Sequence, residues 1–158
     1  MEIFSLQKEH TEYISQVAEQ FEKYYKSMED KGLILKIVPN GGKIWMNSIL
    51  LSLDKFQKII IAVENERVAG FTRGYIHLAP PFVGKFMIGV WDGLYIESEF
   101  RGLGLSKQLY LELEQWFREK RVHSIEGQVL HEHFHSIQGC LNMGFSKELF
   151  QLRKVLYY

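Results

Sequence analysis

Hydrophobic positions along the chain change period several times, and each change marks a new element. Glu2–Leu6 reads as a short first strand. From Lys8 to Met28, the residues Ile14, Val17, Ala18, Phe21, Tyr24 and Met28 recur at helical spacing and predict an amphipathic helix. Gly32 and the Pro39-Asn40-Gly41-Gly42 cluster interrupt that pattern and predict loop. A second helical pattern follows from Ile44 to Phe56. The apolar run Lys58–Val63, the turn Glu64–Arg67 and the strand Val68–Leu78 then predict an antiparallel hairpin, closed by Pro80-Pro81. Lys85–Ile96 continues as a strand although it holds Gly89 and Gly93. Glycine inside a strand marks a bulge or a place where something approaches the backbone closely.

The helix after Gly104 has the strongest pattern. Leu105, Leu109, Leu113 and Trp116 make one face, widened by Tyr110 and Phe117, and Glu114 and Arg118 form an i,i+4 pair on the other. Ser124–Leu130 reads as a strand, His135–Met143 as a short helix and Phe145–Leu156 as a closing strand. No repeat, low-complexity stretch or linker interrupts this series. The order β-α-α-β-β-β-α-β-α-β predicts one α+β domain over residues 1–158, with a central mixed, mostly antiparallel sheet flanked by helices.

Composition narrows the function classes. Nineteen basic and nineteen acidic residues cancel, which argues against a nucleic-acid or anionic-membrane partner. The longest aliphatic run, Ile59–Val63, is far too short to span a bilayer. The N-terminus lacks the basic-then-apolar pattern of a signal peptide. A single cysteine, Cys140, allows no intramolecular disulfide and fits a reducing compartment. A cytoplasmic protein is expected.

The candidate chemistry centres on Arg101-Gly102-Leu103-Gly104-Leu105-Ser106-Lys107. A strand feeding a glycine loop that opens a helix presents free amides at the positive end of the helix dipole, an arrangement suited to phosphate. Taken alone, the loop fits a dinucleotide fold, a P-loop or a tight turn. It lacks the Gly-Lys-Ser/Thr of a P-loop, and an antiparallel hairpin precedes it where a dinucleotide fold would have an early βαβ unit. The stretch "GLYIESEFRGLGLSKQLYLELEQWF", followed by "GCLNMGF", resembles the GNAT superfamily of N-acetyltransferases. Its phosphate loop has the form Arg/Gln-x-x-Gly-x-Gly/Ala, with serine at the last position here. The element order is also the family's, so the resemblance covers nearly the whole chain.

This resemblance implies that the loop from Arg101 through Gly102, Leu103, Gly104, Leu105 and Ser106 to Lys107 holds the pyrophosphate of acetyl-CoA. It implies too that the backbone of Leu94, Tyr95 and Ile96 pairs with the pantetheine arm, a bulge at Gly93 splaying this strand from the next. "GKFMIGVWDGLYI" is similar to the diamine acetyltransferase branch. The implied activity is acetyl transfer from acetyl-CoA to a primary amine of a small, polyamine-like molecule; the alternative is a CoA-binding sensor or interaction module that has lost turnover. A homodimer is expected from the family.

Transfer to an amine requires a proton acceptor, N–H donors for the oxyanion and a proton for the departing thiolate. The resemblance places Asp92 at the family's acidic position, as general base; the other reading is a strand aspartate paired with a surface lysine. Glu97 and Glu99 read as solvated charges. Cys140 falls where the family has its tyrosine acid, and His133 where it has a cofactor-side asparagine. A thiol can donate a proton, but a lone cysteine also serves as small core packing, which is the favoured reading here. His131, His133 and His135 alternate as a metal set would, yet no second cluster of ligand-type residues accompanies them, and no metal is expected. His77 is a candidate on the substrate side. Tyr24, Tyr25, Trp45 and Trp91 are core residues or walls of an acceptor pocket.

Overall fold

Five strands form one sheet in the order β1-β2-β3-β4-β5. They are β1 (Glu2–Ser5), β2 (Gln57–Glu64), β3 (Arg67–Leu78), β4 (Met87–Ile96) and β5 (Ser124–Gly127), and the helices are α1 (Thr11–Glu29), α2 (Gly41–Ile49), α3 (Leu105–Glu119) and α4 (Phe134–Asn142). The computed structural model describes residues 1–157, and packing divides the chain into two compact units, Met1–Gln128 and a second that begins at Val129. The first four strands pair antiparallel and β5 joins β4 in parallel. The expected α+β class and mixed sheet are therefore present. Among the described residues, no helix is long and apolar enough to cross a membrane.

Alternation along β2 explains the layers. Ile59, Ile61 and Val63 join Val17, Ala18, Met46, Ile49 and Phe71 in a core under α1 and α2. Their neighbours Ile60 and Ala62 join Leu105, Leu109, Leu113, Trp116 and Phe117 in a second core under α3. Successive side chains of a strand point to opposite faces, so a continuous apolar run feeds both cores. The β2–β3 hairpin closes through Asn65 and Glu66, both at positive φ (50° and 62°), as a two-residue turn demands.

Three expectations are corrected. The Gly41-Gly42 pair opens α2 instead of lying in a loop. A Cβ on Gly42 would stand 2.0 Å from the Ala18 carbonyl oxygen, so the glycine serves close helix–helix approach, which spacing alone does not reveal. The same helix ends at Ile49, with one 3₁₀ turn over Leu50–Ser52, well short of Phe56. No strand forms over 145–157 among the described residues. The unit that begins at Val129 holds α4 and no strand, so by itself it offers no sheet edge to pair this segment's backbone. Leu149, Phe150 and Leu152 are largely exposed.

Gly89 marks a close approach of a particular kind. A Cβ there would meet the Phe117 ring at 2.8 Å, and one on Gly74 in β3 would meet Phe117 Cζ at 2.6 Å. Two glycines on neighbouring strands thus make a seat for one fully buried ring. Gly74→Ala is expected to cost about 1–3 kcal/mol by overpacking. In denaturant titrations Phe117→Leu should recover part of that loss, with a coupling of at least about 0.5 kcal/mol between the two sites. Strict additivity would show that the ring does not depend on the glycine.

Candidate active site

The site begins where β4 and β5 part. β3 pairs with β4 from Leu78↔Met87 to Gly70↔Ile96. β5 accompanies β4 only from Ile88↔Ser124 to Trp91↔Gly127. Beyond Trp91, the β5-facing edge of residues 92–96 has no strand partner among the described residues. An unpaired edge of this kind is a template for another extended chain. Leu94, Tyr95 and Ile96 lie on it.

The register shifts at the same point. Arg73 stands opposite Gly93 and Gly74 opposite Trp91, leaving Asp92 as the extra residue of a bulge. The bulge expected at Gly93 is present, one residue earlier. Buried Thr72 fastens it: its hydroxyl donates to the Gly93 carbonyl at 2.8 Å and accepts from Trp91 Nε1 at 2.9 Å. Gly93 itself is not sterically required, since a Cβ there would meet only Tyr24 and Phe71 at 3.7 and 4.0 Å.

After β4 the chain makes a 3₁₀ turn over Ser98–Phe100 and enters the glycine loop. Gly102 and Gly104 take positive φ, 78° and 75°, and Gly104 caps α3. A Cβ on either would meet nothing within 4 Å, so these glycines supply backbone conformation and an open approach. The first helical bond at this end runs from Gln108 N to Gly104 O, 3.2 Å. The amides of Leu105, Ser106 and Lys107 therefore precede the helical ladder. No acidic residue lies in the first turn of α3, so nothing there offsets the positive end of the dipole. Leu105 is buried and anchors the turn. Arg101 folds back on β4, its Nε donating to Ile96 O at 2.9 Å and its guanidinium 5.8 Å from the Tyr95 ring centre. The arginine ties the loop to the open strand.

Asp92 is partnered by Arg73, a residue that sequence reasoning did not single out. Arg73 donates to Asp92 through Nη1 and to Gln57 Oε1 through Nη2. Its side chain is 11% exposed, against 40% for Asp92. The guanidinium lies 5.0 Å from the Tyr75 ring centre and 5.9 Å from that of Trp45. Burial pulls Arg73 down to about 10, which leaves it cationic at neutral pH. The available signal was an arginine midway along an apolar strand, on the same face as Phe71 and Tyr75. Tyr24 is held on this side as a neutral phenol, pushed up to about 12 by burial. His77 lies further along β3, 3.2 Å from Glu126. Glu97 is bound by Lys23 at 2.7 Å and Glu99 by Arg67 at 3.0 Å.

Cys140 and His133 belong to the unit that begins at Val129. Cys140 is a free, half-buried thiol in α4, pushed up by burial. His133 caps α4, and its ring lies 2.9 Å (Nδ1) from the Ser136 hydroxyl. Among the described residues, no three His, Cys, Asp or Glu side chains are grouped for a metal.

A family model described as Acetyltransferase (GNAT) family matches residues 43–145. The chain belongs to this family. No curated protein sequence matches it. Solved structures do, at low identity. A probable acetyltransferase is 17% identical, covering 100% of this chain and 99% of its own, with TM-score 0.76. A ribosomal-protein-alanine N-acetyltransferase from Brucella melitensis biovar Abortus 2308 is 15% identical, covering 99% and 100%, with TM-score 0.71. An aminoglycoside N-acetyltransferase in complex with CoA is 16% identical, covering 99% and 92%, with TM-score 0.71. What this GNAT chain shares with these proteins is the fold.

The glycine loop gives a direct test. Gly104→Val forces a β-branched residue into a left-handed conformation and fills the open approach. CoA binding is expected to weaken at least about tenfold, near 1.4 kcal/mol, with the far-ultraviolet spectrum retained. Unchanged affinity by calorimetry would remove the loop from the cofactor site.

Proposed function

We propose that this protein transfers the acetyl group of acetyl-CoA to a primary amine of a small molecule. The observation that carries this reading is the adjacency of an unneutralised helix N-terminus and an unpaired β4 edge, tied together by Arg101. The amides of the loop from Gly102 to Lys107 receive the pyrophosphate. The backbone of Leu94 to Ile96 pairs with the pantetheine amides. Acetyl-CoA supplies the thioester whose acyl carbon accepts the amine.

Asp92 sits at the bulge where β4 leaves β5, partly exposed, and takes the amine proton directly or through water. A primary alkylammonium titrates near 10, so at neutral pH the attacking species must first be deprotonated. Cys140, pushed up by burial, is a poorer proton donor than an ordinary thiol. We read Cys140 as a packing residue of α4, with the departing thiolate protonated from solvent. Asp92→Asn is expected to lower turnover about 10²–10⁴-fold, the usual contribution of a positioned base, with CoA affinity unchanged. The loss should shrink as pH rises and neutral amine accumulates. A small effect that does not vary with pH would make Asp92 a structural partner of Arg73. Cys140→Ala should leave single-turnover transfer within about tenfold of wild type, below what a positioned acid contributes. A larger drop without a fall in thermal stability would make the thiol the acid.

A further inference from the structure

We propose that Arg73 is a specificity-determining residue that fills a cation slot beside Asp92, so that the acceptor is an amine with a single positive charge and not a polyamine. The surroundings of the guanidinium are those of a cation-recognition site. A carboxylate (Asp92) and an amide oxygen (Gln57) accept its protons. Two aromatic rings, Tyr75 and Trp45, lie within 6 Å of its centre, the range in which a ring quadrupole attracts a cation. The occupant is the protein's own. Arg73 rises from β3 opposite Gly93, and its side chain is far more buried than that of Asp92.

The consequence follows from charge. The carboxylate at the parting of β4 and β5 is neutralised within the protein. A second ammonium on the acceptor would have to share Asp92 with a fixed cation, and like charges at such separations repel. Three other carboxylates on the α1–α2 side are engaged as well. Glu22 accepts from Gly42 N at 3.2 Å, Glu29 from Ile37 N at 2.5 Å, and Glu97 is bound by Lys23. This inference rests on the reading that the acceptor amine meets the sheet at Asp92.

The test removes the occupant. Arg73→Ala empties the slot, Arg73→Met fills it without charge, and Arg73→Lys keeps a cation there. The readout is kcat/KM for 1,4-diaminobutane divided by that for n-butylamine. Wild type and Arg73→Lys should give ratios within about threefold of one. In Arg73→Ala the ratio should rise about tenfold toward the diamine, the size of one desolvated cation–aromatic contact; Arg73→Met, which keeps the slot filled but frees the Asp92 carboxylate, should shift the ratio in the same direction by less. A ratio unchanged in both variants overturns the proposal. Calorimetry with methylguanidinium reads the slot without turnover: Arg73→Ala should bind it at millimolar concentration and wild type should not. Equal behaviour of the two overturns the proposal, whereas a wild type that binds CoA and acetylates no amine overturns the Asp92 reading alone.

Discussion

Everything at this site depends on how β4 satisfies its backbone. A strand within a sheet has two edges of N–H and C=O groups, and buried ones must be paired. β3 covers one edge of β4 along its whole length, while β5 covers the other only from Ile88 to Trp91. The remaining edge is open to a partner with peptide-like donors and acceptors in an extended line. A few residues later the chain reaches a helix start whose amides precede the ladder and whose first turn holds no acidic residue. A ligand that met both would be amide-bearing and extended at one end and anionic at the other. Few small molecules join these two properties, and the proposed acetyl-CoA is one that does.

The bulge makes the parting possible. An extra residue at Asp92 turns the end of β4 relative to β3, and the Thr72 hydroxyl, bound to Gly93 O and by Trp91 Nε1, holds the irregularity in one conformation. A bulge without such a fastening would be free to slip, and a one-residue slip would move Leu94 and Ile96 out of the α3 core. The seat for Phe117 on Gly74 and Gly89 works with this. It draws α3 close to the sheet just before the bulge, and α3 carries the loop at its N-terminus. Packing of a ring on two glycines thereby helps set where the amides of the glycine loop stand.

Much of this was legible in the sequence because local chemistry and global fold agree. The hairpin over β2 and β3, the amphipathic faces of α1 and α3 and the glycine loop each follow from period or turn residues. Where glycine has a long-range role, the sequence is silent. Gly89 and Gly93 look alike on paper, yet one accommodates a ring from α3 and the other stands beside a bulge with room to spare. Gly41-Gly42 after Pro-Asn has the composition of a loop, and only the approach of α2 to the Ala18 carbonyl shows why a helix starts there. The apolar tail from Phe145 has strand composition, but a strand requires a neighbour, which composition cannot supply. Arg73 escaped notice for a related reason: its meaning lies in Asp92, Gln57, Trp45 and Tyr75, which are scattered over four elements.

The choice of arginine at that position is itself informative. A lysine would offer one compact charge, strongly hydrated and costly to bury. The guanidinium is planar and more weakly hydrated, so it can lie against two rings while its fork reaches Asp92 on one side and Gln57 on the other. Burial still pulls its affinity for the proton down to about 10, and its Nε is buried with no hydrogen-bond partner among the described residues. A buried cation with one unsatisfied donor is a poor source of folding stability, because the desolvation penalty of the charge can exceed what an imperfectly bonded pair returns. Trp45 also leaves its indole N–H buried and unbonded, so the cluster is not an economical way to stabilise a sheet. An apolar side chain on β3 would pack the same face at lower cost. That the chain maintains a charge there, beside a carboxylate at the break in the sheet, fits a site that discriminates among cations better than it fits a core.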